Sequence, residues 1–452
     1  MKSTLTAALL ATLASAQQGL QPPVQTNVTV FAPPENYTIP KVLYGRVRAL
    51  ECPGNDVLLA TWENYLPVDG ESEGCPPDCP ENPYIPIYES FDQGQTWAER
   101  SRVYDTQNGW GLRYQPELFE LTEQIGDYEP GTLLVAANSI PADLNGTRID
   151  IYFSTDEGHT WEFASNVAEG GYAVPDNQYD PIWEPFIVTH EGQLIVYYAD
   201  QREPGTNGTL GQKLSHQVTD DLQSWGPVVE RPGMPVLAEL PNGKWIYVFE
   251  WLNTDVVENQ PGEPAFEFYY RIADSPLEVA DAEDVPLLPF NSDSQPRGTP
   301  YVVWTPAGGE NGTLIAGDNY HTGIYKNTQL GARDAWEYVE TPAGLAYSRS
   351  FLVLPNDPSR IMIIAPGPNP GVGDNIVYVS TIDIDDDETP YPERYTGHQA
   401  TSGKCASRGE DAAPTDSTPT PIATPPVQTA LADKLATNGV AFAAVLGAAA
   451  LL

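Results

Sequence analysis

Ser90-Phe91-Asp92-Gln93-Gly94-Gln95-Thr96-Trp97 and Ser154-Thr155-Asp156-Glu157-Gly158-His159-Thr160-Trp161 are two copies of one pattern, S-x-D-x-G-x-T-W. Each reads as a tight turn in which Asp bonds the turn backbone, Gly supplies a positive φ, and Trp plugs the side of a sheet. A shortened third copy, Thr219-Asp220-Asp221-Leu222-Gln223-Ser224-Trp225, keeps the interval, so Trp97, Trp161 and Trp225 are evenly placed along the chain. A turn repeated at that period between runs of alternating apolar residues signals radially repeated four-stranded sheets. The fold expected is all-β, a six-bladed β-propeller, because the stretch from Trp225 to Trp336, the next plausible box position, has room for two blades.

The turn is similar to the Asp box of sialidase-like propellers, where it lies on the rim, so its residues are read as fold-bearing and not catalytic. Working outward, each blade opens on one strand, returns on a second, and ends in an outer hairpin. Blade one runs from Tyr44-Gly45-Arg46-Val47-Arg48 through Val57–Trp62, and blade two from Gln115-Pro116-Glu117 through Leu133–Asn138. Blade three holds Trp183-Glu184-Pro185-Phe186 and Leu194–Tyr198, and blade four is expected to open at Arg231-Pro232-Gly233-Met234 before Trp245–Trp251. Blade five carries Arg297-Gly298-Thr299-Pro300 and Leu314–His321, and blade six Ser348-Arg349-Ser350-Phe351 and Ile361–Ile364.

The two ends speak to compartment. An apolar run from Leu5 to Leu13 followed by Ala14-Ser15-Ala16 has the form of a signal peptide over residues 1–16, so secretion is expected. Sequons at Asn27, Asn36, Asn145, Asn207 and Asn311 fit that route. Residues 17–40 read as an N-terminal segment, 41–407 as the propeller, and 408–438 as a Pro/Thr/Ser-rich stalk and spacer. Residues 439–452 form an apolar tail too short to span a bilayer, which reads as the signal for a glycosylphosphatidylinositol anchor at the cell surface. That lipid is the only membrane contact expected.

A formal net charge of −40 excludes a sequence-independent nucleic-acid binder, since nothing could neutralise phosphates. The acidic run Asp383–Glu388 lacks the Gly and spacing of a calcium loop and reads as a solvated turn. Five scattered histidines give no zinc spacing, and no metal or other cofactor is expected. The four cysteines, Cys52, Cys75, Cys79 and Cys405, allow three pairings, of which Cys75–Cys79 with Cys52–Cys405 is favoured by proximity. The protein is expected to act as a monomer.

In a propeller the start of strand one and the end of strand two share a face of the channel. The first set contributes Arg46, Glu117, Glu184, Arg231, Arg297 and Arg349; the second contributes Trp62, Glu63, Asn138, Asp200, Arg202, Glu250, Trp251, Asp318 and Tyr320. Carboxylates, guanidiniums and aromatic faces together suit a sugar, so the expected partner is an oligosaccharide or polysaccharide substrate. Glycoside hydrolysis needs two facing carboxyls. Glu184, between Trp183 and Pro185, and Glu250, in an aromatic sleeve of Phe249 and Trp251, are the best pair. The sleeve should raise the pKa of Glu250 and favour the acid/base role, leaving Glu184 as nucleophile.

Trp-Glu-Pro-Phe at 183–186, Tyr197-Tyr198-Ala199-Asp200-Gln201-Arg202, Gly211–Gln217 and Arg231-Pro232-Gly233-Met234 before Leu240-Pro241-Asn242-Gly243-Lys244 carry a resemblance. Over roughly residues 40–385 the chain resembles fungal exo-α-1,5-L-arabinanases of glycoside hydrolase family 93. The resemblance implies a sialidase-like fold, a retaining, metal-free release of arabinobiose from linear arabinan, and catalytic glutamates at Glu184 and Glu250. Two stretches depart from the family: the short link at Glu230 and the acidic, Pro-rich run after Trp251. A sialidase is the nearest rival, with an arginine motif echoed at Tyr44–Val47, Arg297 and Arg349 to hold a carboxylate, and Tyr347 as nucleophile. A non-catalytic glycan-binding surface propeller is the other.

Overall fold

The protein is described here from a computed structural model, covering residues 24–51, 57–66, 82–175, 178–202, 212–232, 234–252, 266–369 and 375–384. The leader, all four cysteines, the Asn207 sequon, the acidic run past Ile384, the stalk and the tail lie outside the described residues.

The strands fall into six four-stranded antiparallel sheets, the blades of the propeller. After β1 (Val28–Phe31), blade one is β2 (Val42–Ala49), β3 (Leu58–Asn64), β4 (Tyr84–Ser90) and β5 (Ala98–Tyr104). Blade two is β6 (Leu112–Glu120), β7 (Leu133–Ser139), β8 (Thr147–Ser154) and β9 (Glu162–Gly170); blade three is β10 (Ile182–His190), β11 (Gln193–Asp200), β12 (Lys213–Thr219) and β13 (Val229–Pro232). Blade four is β14 (Val236–Glu239), β15 (Trp245–Leu252), β16 (Phe266–Ala273) and β17 (Val285–Pro286); blade five is β18 (Tyr301–Thr305), β19 (Thr313–Gly317), β20 (Ile324–Asn327) and β21 (Glu337–Val339). Blade six is β22 (Ser350–Leu354), β23 (Asp357–Ala365) and β24 (Val377–Asp383), with β1 as its outer strand.

Two expected boundaries move. Arg231 does not open blade four: it pairs with Leu214 on the outer strand of blade three, and blade four begins at Val236. A strand ending in Pro232, which has no N–H to donate, is tolerated at an outer edge. The propeller also starts before residue 41, because β1 pairs with β24 (Val28 opposite Val379) and closes the ring with N-terminal chain. Side chains sew that joint: the Gln25 N–H donates to Thr381 Oγ1 at 2.7 Å and the Asn27 N–H to Ser380 Oγ at 2.9 Å.

The core is a set of apolar layers between successive blades. Phe119, Leu134 and Ile151 of blade two face Ile187, Leu194 and Val196 of blade three in one such layer. The Asp boxes join strands three and four at the end of each blade away from the start of strand one. In the second box, Asp156 Oδ1 accepts the Thr160 N–H at 2.9 Å and Ser154 Oγ accepts the Gly158 N–H at 2.8 Å, with Gly158 at φ +88°. The indole N–H of Trp161 then donates to Ser101 of blade one at 3.0 Å, and that of Trp225 to Ser165 of blade two at 3.0 Å. The second and third boxes therefore staple a blade to the one before it, whereas the Trp97 indole bonds Gly94 O of its own turn.

Candidate active site

At the opposite end, strand one of a blade opens with a β-bulge. Pairing slips between Leu43 and Arg46, between Tyr114 and Glu117, and between Trp183 and Phe186. Each slip holds one residue at positive φ: Tyr44 (54°), Gln115 (54°) and Glu184 (58°); Thr299 (34°) and Ser348 (52°) stand at the same place ahead of β18 and β22. Left-handed backbone costs a non-glycine residue about 1 kcal/mol, and bulges re-aim side chains where function needs it. The released N–H groups reach the preceding blade. Tyr44 donates to Tyr347 O (3.3 Å), Gln115 to Glu63 Oε1 (3.0 Å) and Glu184 to Gln115 Oε1 (3.0 Å). Thr299 donates to Glu250 Oε2 (2.8 Å) and Ser348 to Thr299 Oγ1 (3.1 Å). Bonds of this kind cross five of the six blade joints at the mouth of the channel, with Glu63, Glu184 and Glu250 among the residues they tie.

Glu184 is 6 % exposed, and Gln212 Nε2 donates to its Oε2 at 3.3 Å. Burial pushes its carboxyl well above the usual range, and the charges of Glu250 and Glu63 push the same way, so these three groups share one site. Gln212 and the positive charge of Arg46 favour the ionised form. Glu250 is half-buried and raised by burial to about 7, against which the Thr299 N–H works. Its other oxygen has no bond to the described residues, and the neighbouring Trp251 is 46 % exposed. Glu63 is also raised by burial to about 7, but both its oxygens are engaged, by the Gln115 N–H and by the Tyr65 hydroxyl at 2.8 Å. Glu184 feels the charges of both neighbours, so its titration is coupled to theirs.

The remaining expected sugar contacts divide. Trp251, Tyr320 and the half-buried Arg297 stay near the surface, Arg297 donating its N–H to Asp318 Oδ2 at 2.8 Å. Trp62 does not line the pocket: it is wholly buried, stacked on Phe31 at 5.2 Å and packed on Tyr88, as alternation along β3 turns its indole into the blade interface. Arg46 lies under the site, ion-paired to Glu117 at 2.9 Å and donating to Ser348 O at 3.1 Å. Arg349 is fully buried, donating to the carbonyl oxygens of Asp318 and Thr322 at 2.9 Å each and to that of Gly323. Asp318 is also buried; its carboxylate accepts from the Nδ1 of His321 at 2.8 Å. Asp200 and Arg202 hold each other at 2.7 Å, Asp200 also accepting from Ser215 and Arg202 reaching Glu169 O of blade two at 2.9 Å, a clamp between blades. Asn138 is buried and donates to Gln115 Oε1 at 2.9 Å. Arg46, Arg349, Asp318, Asp200 and Arg202 thus spend their polar groups on protein, while the Trp62 indole N–H and Asn138 Oδ1 make no bond but are buried.

Sequence reasoning missed Gln115, Gln212, Tyr65 and His321. One signal was available for the first: Gln115-Pro116 and Glu184-Pro185 put a proline inside an inner strand, which marks a bulge. The sialidase reading loses its anion site, since Arg46 and Arg349 are engaged and three carboxyls face the pocket. Tyr347 is no better as a nucleophile, because burial and the charges of Glu184, Glu250 and Glu63 raise its hydroxyl far above 10.

No family model and no curated protein matches the chain. Among solved structures it is similar to a GH93 α-L-arabinofuranosidase of Fusarium graminearum in complex with arabinobiose, at 42 % identity and TM-score 0.72, over 80 % of this chain and 98 % of that one. It is similar also to an α-L-arabinanase of Penicillium chrysogenum complexed with arabinobiose, at 43 % identity and TM-score 0.73, over 81 % and 99 %.

Proposed function

Since the chain belongs to glycoside hydrolase family 93, we propose that it is an exo-acting, configuration-retaining hydrolase of α-1,5-linked L-arabinan that releases arabinobiose. The observation that carries the mechanism is the meeting of Glu184 and Glu250, from blades three and four, close enough for the charge of one to raise the other. The substrate class rests on the two relatives, each solved with arabinobiose.

Two features support the division of roles. Glu184 sits on the floor, its backbone pinned by Gln115 and its carboxylate oriented by Gln212, as a nucleophile attacking the anomeric carbon must be. Glu250 is the more open, with one oxygen unbonded among the described residues, where it can exchange protons with a leaving group and with water. Glu184 attacks the anomeric carbon, the glycosidic C–O bond breaks, and the departing oxygen takes the proton of Glu250. Water, deprotonated by Glu250, then attacks the same carbon and frees the Glu184 carboxylate. Burial and the Glu250 charge draw the proton toward Glu184 in the empty site; Gln212 and Arg46 oppose that and favour the ionised state that attack requires.

The test is incubation of the protein with linear arabinan, following the products by chromatography. Arabinobiose is expected from the wild type and not from Glu184→Gln or Glu250→Gln. Azide should rescue Glu184→Ala with inverted configuration at the anomeric carbon and Glu250→Ala with retained configuration; the opposite pattern exchanges the roles, and a wild type inert on arabinan refutes the substrate.

A further inference from the structure

Gln115 entered the reaction just described only as an anchor for the Glu184 backbone, yet its side chain is held more tightly than a bulge residue requires. It stands on blade two where Glu184 stands on blade three, at the same left-handed position of the same kind of bulge. Its Oε1 accepts two bonds, from the Glu184 N–H at 3.0 Å and from Asn138 Nδ2 at 2.9 Å. A backbone N–H cannot turn round. The amide is therefore fixed with its oxygen toward Glu184, because the flipped amide would set NH2 against N–H. The backbone of Gln115 is tied in turn to Glu63 at 3.0 Å, so the residue is anchored on both sides. Its Nε2 makes no bond to the described residues, and it is not among the buried polar atoms left without a partner. An amide with a locked oxygen and an accessible NH2, bonded to the backbone of the residue whose carboxyl takes the anomeric carbon, is a preorganised donor.

We propose that Gln115 is a substrate-binding residue whose NH2 donates to the hydroxyl on the sugar carbon next to the anomeric centre bound by Glu184. This rests on the reading of Glu184 as nucleophile. That hydroxyl is the one nearest the reacting carbon, and bonds to it strengthen as charge develops on the ring. Asn138 is then a positioning residue: it touches no sugar and holds the Gln115 oxygen from behind.

The test compares arabinotriose with the analogue lacking the 2-hydroxyl on the unit that reacts with Glu184, in the wild type and in Gln115→Met. The wild type should lose roughly tenfold to a hundredfold in kcat/KM on removal of the hydroxyl. Gln115→Met should show a loss of that order on arabinotriose and little further penalty for the missing hydroxyl. Gln115→Glu, which keeps an acceptor for the Glu184 N–H but has no amide donor, guards against misfolding and should be equally indifferent to the hydroxyl. A hydroxyl penalty of wild-type size persisting in both variants overturns the assignment, leaving Gln115 as scaffold. A wild type that turns over no arabinotriose overturns the reading of the site, and this assignment with it.

Discussion

Glu250→Gln removes a proton-binding group while keeping shape and an acceptor for the Thr299 N–H. A carboxyl that ordinarily titrates near 4.5 is held at about 7 in the fold, chiefly by burial. Because the folded value lies above the unfolded one, the unfolded chain ionises first as pH rises. Stability is thus fully present below about 4.5, falls through the interval, and levels off above about 7. The difference is worth at most about 3 kcal/mol, less to the extent that water reaches the free oxygen. Glutamine does not titrate, so the variant should gain on the wild type by that amount between about pH 4 and about pH 8. Urea unfolding of both proteins across that range, each pair in the same buffer, measures the gain directly. The same proton is the one the leaving group needs, so wild-type kcat/KM should fall on the alkaline side of about 7, with the limb absent in Glu250→Gln assayed on an activated aryl substrate. A stability difference between the two proteins that stays flat with pH would refute the claim that Glu250 is buried enough to hold a proton, and with it the structural ground for its role.

Trp62→Ala should cost about 3–5 kcal/mol in stability by opening a cavity against Phe31 and Tyr88, with KM unchanged; a raised KM at wild-type stability would return Trp62 to the pocket. Asp156→Ala breaks the second Asp box and should lower stability by roughly 1–2 kcal/mol without altering kcat, as read by thermal melting and initial rates. The hydrogen bonds from Thr160 and Ser154 hold Asp156 below its usual 3.8, so its contribution is present above that value and is lost as pH falls through the folded one; the variant should lack that acid-side loss. Removing residues 24–31 strips the outer strand from blade six, exposing a pairing edge on β24; a lower melting temperature and a tendency to associate are expected, and an unchanged melt would show that the ring closes without it.

Local chemistry was legible from the sequence alone. Ser154-x-Asp156-x-Gly158-x-Thr160-Trp161 contains its own hydrogen-bond donors, acceptors and positive-φ glycine, so the turn and its repeat could be read without coordinates, and the six blades followed from the interval. Glu184 and Glu250 are proposed as the reacting pair on a similar local reading, each a carboxylate set among large apolar neighbours at a strand end. What the tertiary structure alone decided was which polar residues were left over for a substrate. Arg349, Asp318, Asp200 and Trp62 look like sugar contacts from their place on strand one or two, but Arg349 and Trp62 find partners on a neighbouring blade, and Asp318 and Asp200 are met by His321 and Ser215 of their own blade. Gln115 went unnoticed for the converse reason: its bonds run to Glu63 and Glu184, one blade to either side, and a contact between neighbouring blades exists only once the blades are packed. A turn is fixed by residues adjacent in the chain, whereas a pocket is what remains unsatisfied after all the distant ones have met.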